Sequence, residues 1–165
     1  RLAITHPNRV AGLVLVDTGG FLGSPVTNAY CRLLGVPAVL RHVLPRFVRS
    51  YLHAQSAADD AVLQRVSERA VSEEGVALAA ALWRSFAAPA ASLRAEAHRI
   101  TAPTMLVWGS KDTAIPVRFG RAAHAAIPGS RLEVLPTGHL PFSSQPEEFL
   151  EVVEPFLAEV LQPAS

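Results

Sequence analysis

The sequence predicts an α/β fold: three parallel strands, with a long helical insertion between the first and the second. Three observations point there. Short β-branched apolar runs at 10–16, 104–108 and 132–135 each end in a turn rich in Gly, Pro or Asp. Between the second and third runs, and again after the third, the apolar residues switch to helical spacing. About 70 residues between the first and second runs hold no strand pattern at all.

The chain opens on Arg1-Leu2-Ala3-Ile4-Thr5-His6-Pro7, which reads as the closing turns of a helix stopped by Pro7. With Arg rather than Met at position 1, a missing or removed upstream piece is expected. Val10–Val16 follows, apolar on both faces as in a buried parallel strand, and gives way to Asp17-Thr18-Gly19-Gly20. Thr104–Trp108, closed by Gly109-Ser110-Lys111-Asp112, is the second such run. Leu132–Leu135, ending at Pro136-Thr137-Gly138, is the third. Helices are expected over Val117–Ile127 and Pro146–Leu161. The second of these places Phe149, Val152, Val153, Phe156, Leu157 and Val160 at spacings of three and four. Strand, helix, strand, helix over this stretch implies a right-handed crossover.

From Pro25 to His98 the chain reads as an inserted helical lid. Val36, Val39, Leu40, Val43, Leu44, Phe47, Val48, Tyr51 and Leu52 form a broad apolar stripe, with Arg41, His42, Arg46, Arg49 and His53 mostly opposite. Pro45 should kink or split that helix. Ser56-Ala57-Ala58-Asp59 reads as a helix start, and Gly75–Ala88 as a further apolar helix before Pro89.

Composition narrows the function. Half of the 165 residues are apolar and 18% are charged, so a packed core is expected. A net charge of +1 gives no basic field for nucleic acid. No charge-free apolar run reaches the roughly 18 residues of a membrane span. Cys31 is the single cysteine, without a partner for a disulfide or a thiolate metal site, which suits a reducing cytoplasm. Neither a metal nor a cofactor is expected. Thr18-Gly19-Gly20-Phe21-Leu22-Gly23 narrowly misses a dinucleotide-binding glycine pattern, with Thr18 in the first Gly position and Pro25 where a helix should start.

Two loops carry chemistry, each following a strand, where open α/β sheets place ligands and catalytic groups. The first, Trp108–Pro116, contains Asp112, which either orients an imidazole or caps a turn. The second, Pro136–Phe142, contains His139 directly after Gly138. Of the six histidines, His6 ends a helix and His42, His53, His98 and His124 fall in helical segments. His139 alone has a loop position suited to moving protons in a cleft.

A strand ending in Gly109-x-x-Asp112, a helix, a strand and then Gly138-His139, with acid and histidine 27 residues apart, resembles the C-terminal half of the α/β-hydrolase family. Arg1–Val10 followed by Leu13–Asp17 is similar to the family's helix after the nucleophile elbow and the next strand. Ile100–Thr104 and Gln145–Phe149 resemble its lead into the acid-bearing strand and the opening of its last helix.

The resemblance implies a partial hydrolase core at 1–24 and 99–165 with a cap at 25–98. It also implies Asp112 as triad acid and His139 as base, and serine-type hydrolysis of an ester or other acyl bond of an apolar small molecule. The family's Gly-x-Ser-x-Gly is absent from these residues. The missing N-terminal half of the same domain is therefore an expected partner, and this chain alone is expected to be inactive. Two other readings stay open: a truncated or non-catalytic binding protein on the same scaffold, or a dehalogenase or epoxide hydrolase with an Asp nucleophile. Asp17 reads as a strand-end turn residue, although some dehalogenase-like members take their acid from this position. Tyr30 and Tyr51 read as packing residues that could instead polarise a substrate oxygen.

Overall fold

A computed structural model describes residues 1–88 and 91–162. Its centre is a parallel sheet of β1 (Leu13–Val16), β2 (Thr104–Gly109) and β3 (Arg131–Leu135), in that spatial order. Leu13 pairs with Thr104 and Val16 with Val107. Met105 pairs with Arg131 and Gly109 with Leu135, so all three strands end on one side of the sheet. β1 is shorter than its apolar run: Val10 closes a 3-10 turn over Pro7–Arg9, and pairing begins only at Leu13.

β2 is buried along its whole length because it is central and covered on both faces. Alternation of side chains sends Leu106 to one face and Met105 and Val107 to the other. Leu106 packs with Ala3 and Ile4 of α1 (Leu2–Thr5) and with Ala123 and Ile127 at α6 (Arg118–Ala126). Met105 and Val107 pack with Val153 and Phe156 of α8 (Pro146–Leu161). The helix α6 makes the connection from β2 to β3.

The insertion folds as α2 (Pro25–Leu34), α3 (Pro37–Leu52), α4 (Ala57–Ala70) and α5 (Glu73–Phe86). Three of the four starts have a side-chain cap: Ser24, Ser56 and Ser72 each accept a hydrogen bond from the backbone N–H three residues on. The four helices share one apolar cluster built on Leu34, Leu40, Leu44, Val48, Leu52, Val76 and Ala80. Pro45 does not split α3, which runs unbroken through it. The ring removes one backbone donor, but Leu40, Leu44, Val48 and Leu52 all lie on the buried face, and their burial outweighs the lost bond. The expected stop at Pro89 lies outside the described residues. A short α7 (Pro141–Ser144) separates the His139 loop from α8. No helix among the described residues is long and apolar enough to cross a membrane.

Candidate active site

The strand ends bring together three side chains that lie far apart in the sequence. Asp112 follows β2 in a loop braced by the Trp108 Nε1–H, which donates to the Ile115 carbonyl at 2.7 Å. Its two carboxylate oxygens do different work. Oδ1 accepts the backbone N–H of Ala114 at 2.7 Å and of Ile115 at 3.0 Å. Oδ2 lies 2.7 Å from His139 Nδ1. Turn capping and imidazole orientation, alternatives in the sequence, are therefore both present, one per oxygen. The Asp112 side chain is fully buried, whereas that of His139 is 27% exposed.

His139 follows β3, and its loop is sewn to its neighbours. The Ser110 N–H donates to the Leu135 carbonyl at 2.8 Å, and the Lys111 N–H to that of Thr137 at 2.9 Å. The insertion holds the other side: the His139 N–H donates to the Tyr51 carbonyl at 2.9 Å, and Gln55 Nε2 to the Pro136 carbonyl at 3.0 Å. Glycine is required twice. A Cβ at Gly109 would strike the carbonyls of Gly138 and Thr137, and one at Gly138 the carbonyl of Leu52.

Burial works against an imidazolium at His139, but the hydrogen bond and charge of Asp112 favour it, as the smaller effect of Asp17 does only where that carboxyl is ionised. The balance holds its pKa above the usual 6.5. A ring with Nδ1–H directed at Asp112 leaves Nε2 as the basic nitrogen, and Nε2 has no hydrogen-bond partner among the described residues. His139 lines a cavity of about 510 Å³ whose other walls are almost wholly apolar, among them Leu44, Val48, Ala79, Trp83 and Ile115. The other five histidines are elsewhere. His53 sits one residue past the end of α3, in a left-handed conformation, and His124 bonds to Ser130.

Asp17 lies beside the Asp112–His139 pair, although its strand-end position reads first as a turn residue and only second as an acid. It is 3% exposed and adopts a positive φ of 39°. Its Oδ1 accepts the Gly109 N–H at 3.0 Å, tying the ends of β1 and β2, while Oδ2 is buried with no partner among the described residues. One ligating atom each from Asp17, Asp112 and His139 lie within 4.8 Å of one another, a spacing that a cation could also share. Asp112 meanwhile accepts hydrogen bonds on both oxygens. Burial pushes the Asp17 carboxyl up to about 8; the Gly109 N–H opposes this and the nearby Asp112 charge adds to it. Tyr51 packs its ring edge-on against His139, with centroids 5.4 Å apart. Tyr30 packs on Trp83.

Residues 1–152 match the model of the alpha/beta hydrolase family. An uncharacterised protein of Mycobacterium tuberculosis is 46% identical over 56 residues, which are 33% of this chain and 16% of that protein. A pimeloyl-[acyl-carrier protein] methyl ester esterase of Neisseria meningitidis is 30% identical over 177 residues, 99% of this chain and 54% of the relative. Among solved structures, the enol-lactonase of Burkholderia xenovorans superposes with a TM-score of 0.72 at 23% identity, over 95% of this chain and 60% of that one. The chain thus spans about half the length of the curated relative that it matches end to end. Its sheet order, its strand-end loops and the family match make this chain a member of the alpha/beta hydrolase family.

Proposed function

We propose that this chain carries the acid and base of a nucleophile–Asp–His hydrolase that cleaves an ester or other acyl bond of an apolar small molecule. The observation that carries it is the 2.7 Å contact from Asp112 Oδ2 to His139 Nδ1, made by a fully buried carboxylate whose other oxygen is fixed by two N–H groups. That arrangement sets the imidazole tautomer and steadies the charge it gains on taking a proton through Nε2. The likeness to a methyl ester esterase favours ester chemistry, and the apolar cavity suits an apolar acyl or alcohol group.

In this reading residues 25–98 are the cap over the substrate, and residues 1–24 with 99–165 are part of the catalytic core. The nucleophile is supplied from outside these 165 residues, which hold no Gly-x-Ser-x-Gly. By itself the chain then lacks both nucleophile and oxyanion donors and does not turn over esters. The experiment is hydrolysis of p-nitrophenyl esters by the protein at its full natural length. Asp112→Ala and His139→Ala should each lose on the order of 10³-fold or more in kcat. Saturable turnover by the 165-residue chain that vanishes in His139→Ala would overturn the placement of the nucleophile. A fluorophosphonate adduct on a serine separates serine chemistry from an aspartate nucleophile.

A further inference from the structure

We propose that Asp17 is a positioning residue for the Asp112–His139 pair: a neutral carboxylic acid that accepts the Gly109 N–H on Oδ1 and donates a proton from Oδ2 to the Asp112 carboxylate. Its catalytic consequence rests on the reading of Asp112 and His139 given above; its protonation does not.

Two buried carboxyl groups this close do not both ionise at neutral pH without a large penalty. Hydrogen-bond donors decide which keeps the proton. Asp112 receives three, from Ala114 N, Ile115 N and His139 Nδ1, and is the better anion. Asp17 receives one, from Gly109 N. An ionised Oδ2 on Asp17 would be a buried charge with no donor among the described residues, whereas a protonated one can turn its proton toward the Asp112 carboxylate, an atom of which lies within 4.8 Å of Asp17. The same burial lifts the Asp17 carboxyl to about 8.

Asp112 comes from the loop after β2, His139 from the loop after β3, and Tyr51 from α3, its phenol pushed up by burial and by Asp112. A neutral Asp17 leaves one negative charge, not two, beside the imidazole. His139 is then not driven so far toward the imidazolium that it ceases to be a base. The left-handed backbone at Asp17 suits the role, because Asp and Asn are the non-glycine residues that tolerate it best.

The test is a carboxyl-carbon NMR titration of Asp17 in the full-length protein, together with the imidazole titration of His139 in wild type and in Asp17→Asn. The Asp17 carboxyl should titrate with a midpoint above pH 7. Asp17→Asn, which keeps one acceptor and one donor, should leave the His139 midpoint within about 0.3 unit and recover most of the kcat that Asp17→Leu loses, about tenfold or more. An Asp17 midpoint below about 5, or a His139 midpoint that falls by about a unit or more in Asp17→Asn, would show an ionised Asp17 and overturn the proposal. Should Asp17→Leu fail to fold, the wild-type carboxyl titration still decides. Should His139→Ala keep full turnover, the functional reading fails while the protonation of Asp17 is still measured independently.

Discussion

Tyr51 holds His139 from two sides. Its carbonyl accepts the His139 N–H at 2.9 Å, and its ring stands edge-on to the imidazole at 5.4 Å between centroids. The end of α3 is thus part of the wall that fixes the imidazole. Separating the two contacts is straightforward, since the first is backbone. Tyr51→Phe keeps both and should cost under about 1 kcal/mol. Tyr51→Ala removes a half-buried ring and should cost about 1–3 kcal/mol in urea denaturation. An equal loss in the two variants would place the stabilisation in the phenol hydroxyl instead.

The glycines beside the site allow a harsher test. A Cβ at Gly138 meets backbone, not a movable side-chain tip, in the carbonyl of Leu52. Gly138→Ala should therefore either displace the end of α3 or push His139 away from Asp112. The expected loss is about 3 kcal/mol or more, read as a fall in the denaturation midpoint, with a weakened Asp112–His139 coupling in the imidazole NMR signal. Gly129 is the control: its φ is 67° but nothing lies within 4 Å, so Gly129→Ala should cost only about 1 kcal/mol of backbone strain.

Much of this arrangement was legible in the sequence, for physical reasons that also explain the failures. Apolar runs mark strands where both faces are covered, so β2 and its loop stood out. The same rule overextended β1, because Val10 is apolar yet closes a 3-10 turn. Asp112 and His139 were readable because each follows a strand and a glycine. Asp17 was not: a strand-end Asp looks the same whether it caps a turn or meets a second carboxyl, and only the register of β1 on β2 distinguishes these. Pro45 leaves α3 in one piece because proline's local cost is fixed, while the gain from four buried residues on one face of α3 depends on tertiary packing. The contact of Tyr51 with His139 has no local signal, since it joins two segments by backbone and ring edge.

Three groups set the pH dependence of stability. Asp17, raised to about 8 from 3.8, holds a proton in the folded state that the unfolded chain has released, so stability falls as pH rises between these values. His139 is raised above 6.5, so its contribution is complete below that pH and is lost as pH climbs through the folded value. Asp59 runs the other way. Burial opposes its charge, but donors from the 143–144 and 55–56 segments, among them the Gln55 N–H on Oδ2 at 3.0 Å, hold its carboxyl below 3.8, and its contribution disappears as pH drops through that lowered value. Thermal unfolding should therefore peak on the acidic side of neutrality and decline toward pH 8. Asp17→Asn should flatten the decline and add on the order of 2–4 kcal/mol at pH 7. A melting temperature that rises from pH 5 to pH 8 would contradict both Asp17 and His139.

The apolar cavity beside His139 lies between two parts of the chain. Its walls come from the insertion (Leu44, Val48, Ala79, Trp83) and from the site itself (Ile115, His139), so an occupant touches both. Ala79 is half-buried on α5 and carries the smallest side chain among these wall residues, which makes it the place to add bulk without opening a void elsewhere. Ala79→Trp should fill part of the space while α5 keeps its buried contacts through Val76 and Ala80. If an apolar acyl chain occupies this cavity, the variant at full length should lose about tenfold or more in kcat/KM on long-chain p-nitrophenyl esters, mainly through KM, and little on the acetyl ester. The hydrogen bonds that hold Asp112 and His139 come from the strand-end loops and the end of α3, not from α5, so the kcat for acetyl ester should hold within about threefold. Equal losses on short and long esters would mean that the ring disturbs the imidazole. No loss on either would mean that the substrate chain lies elsewhere.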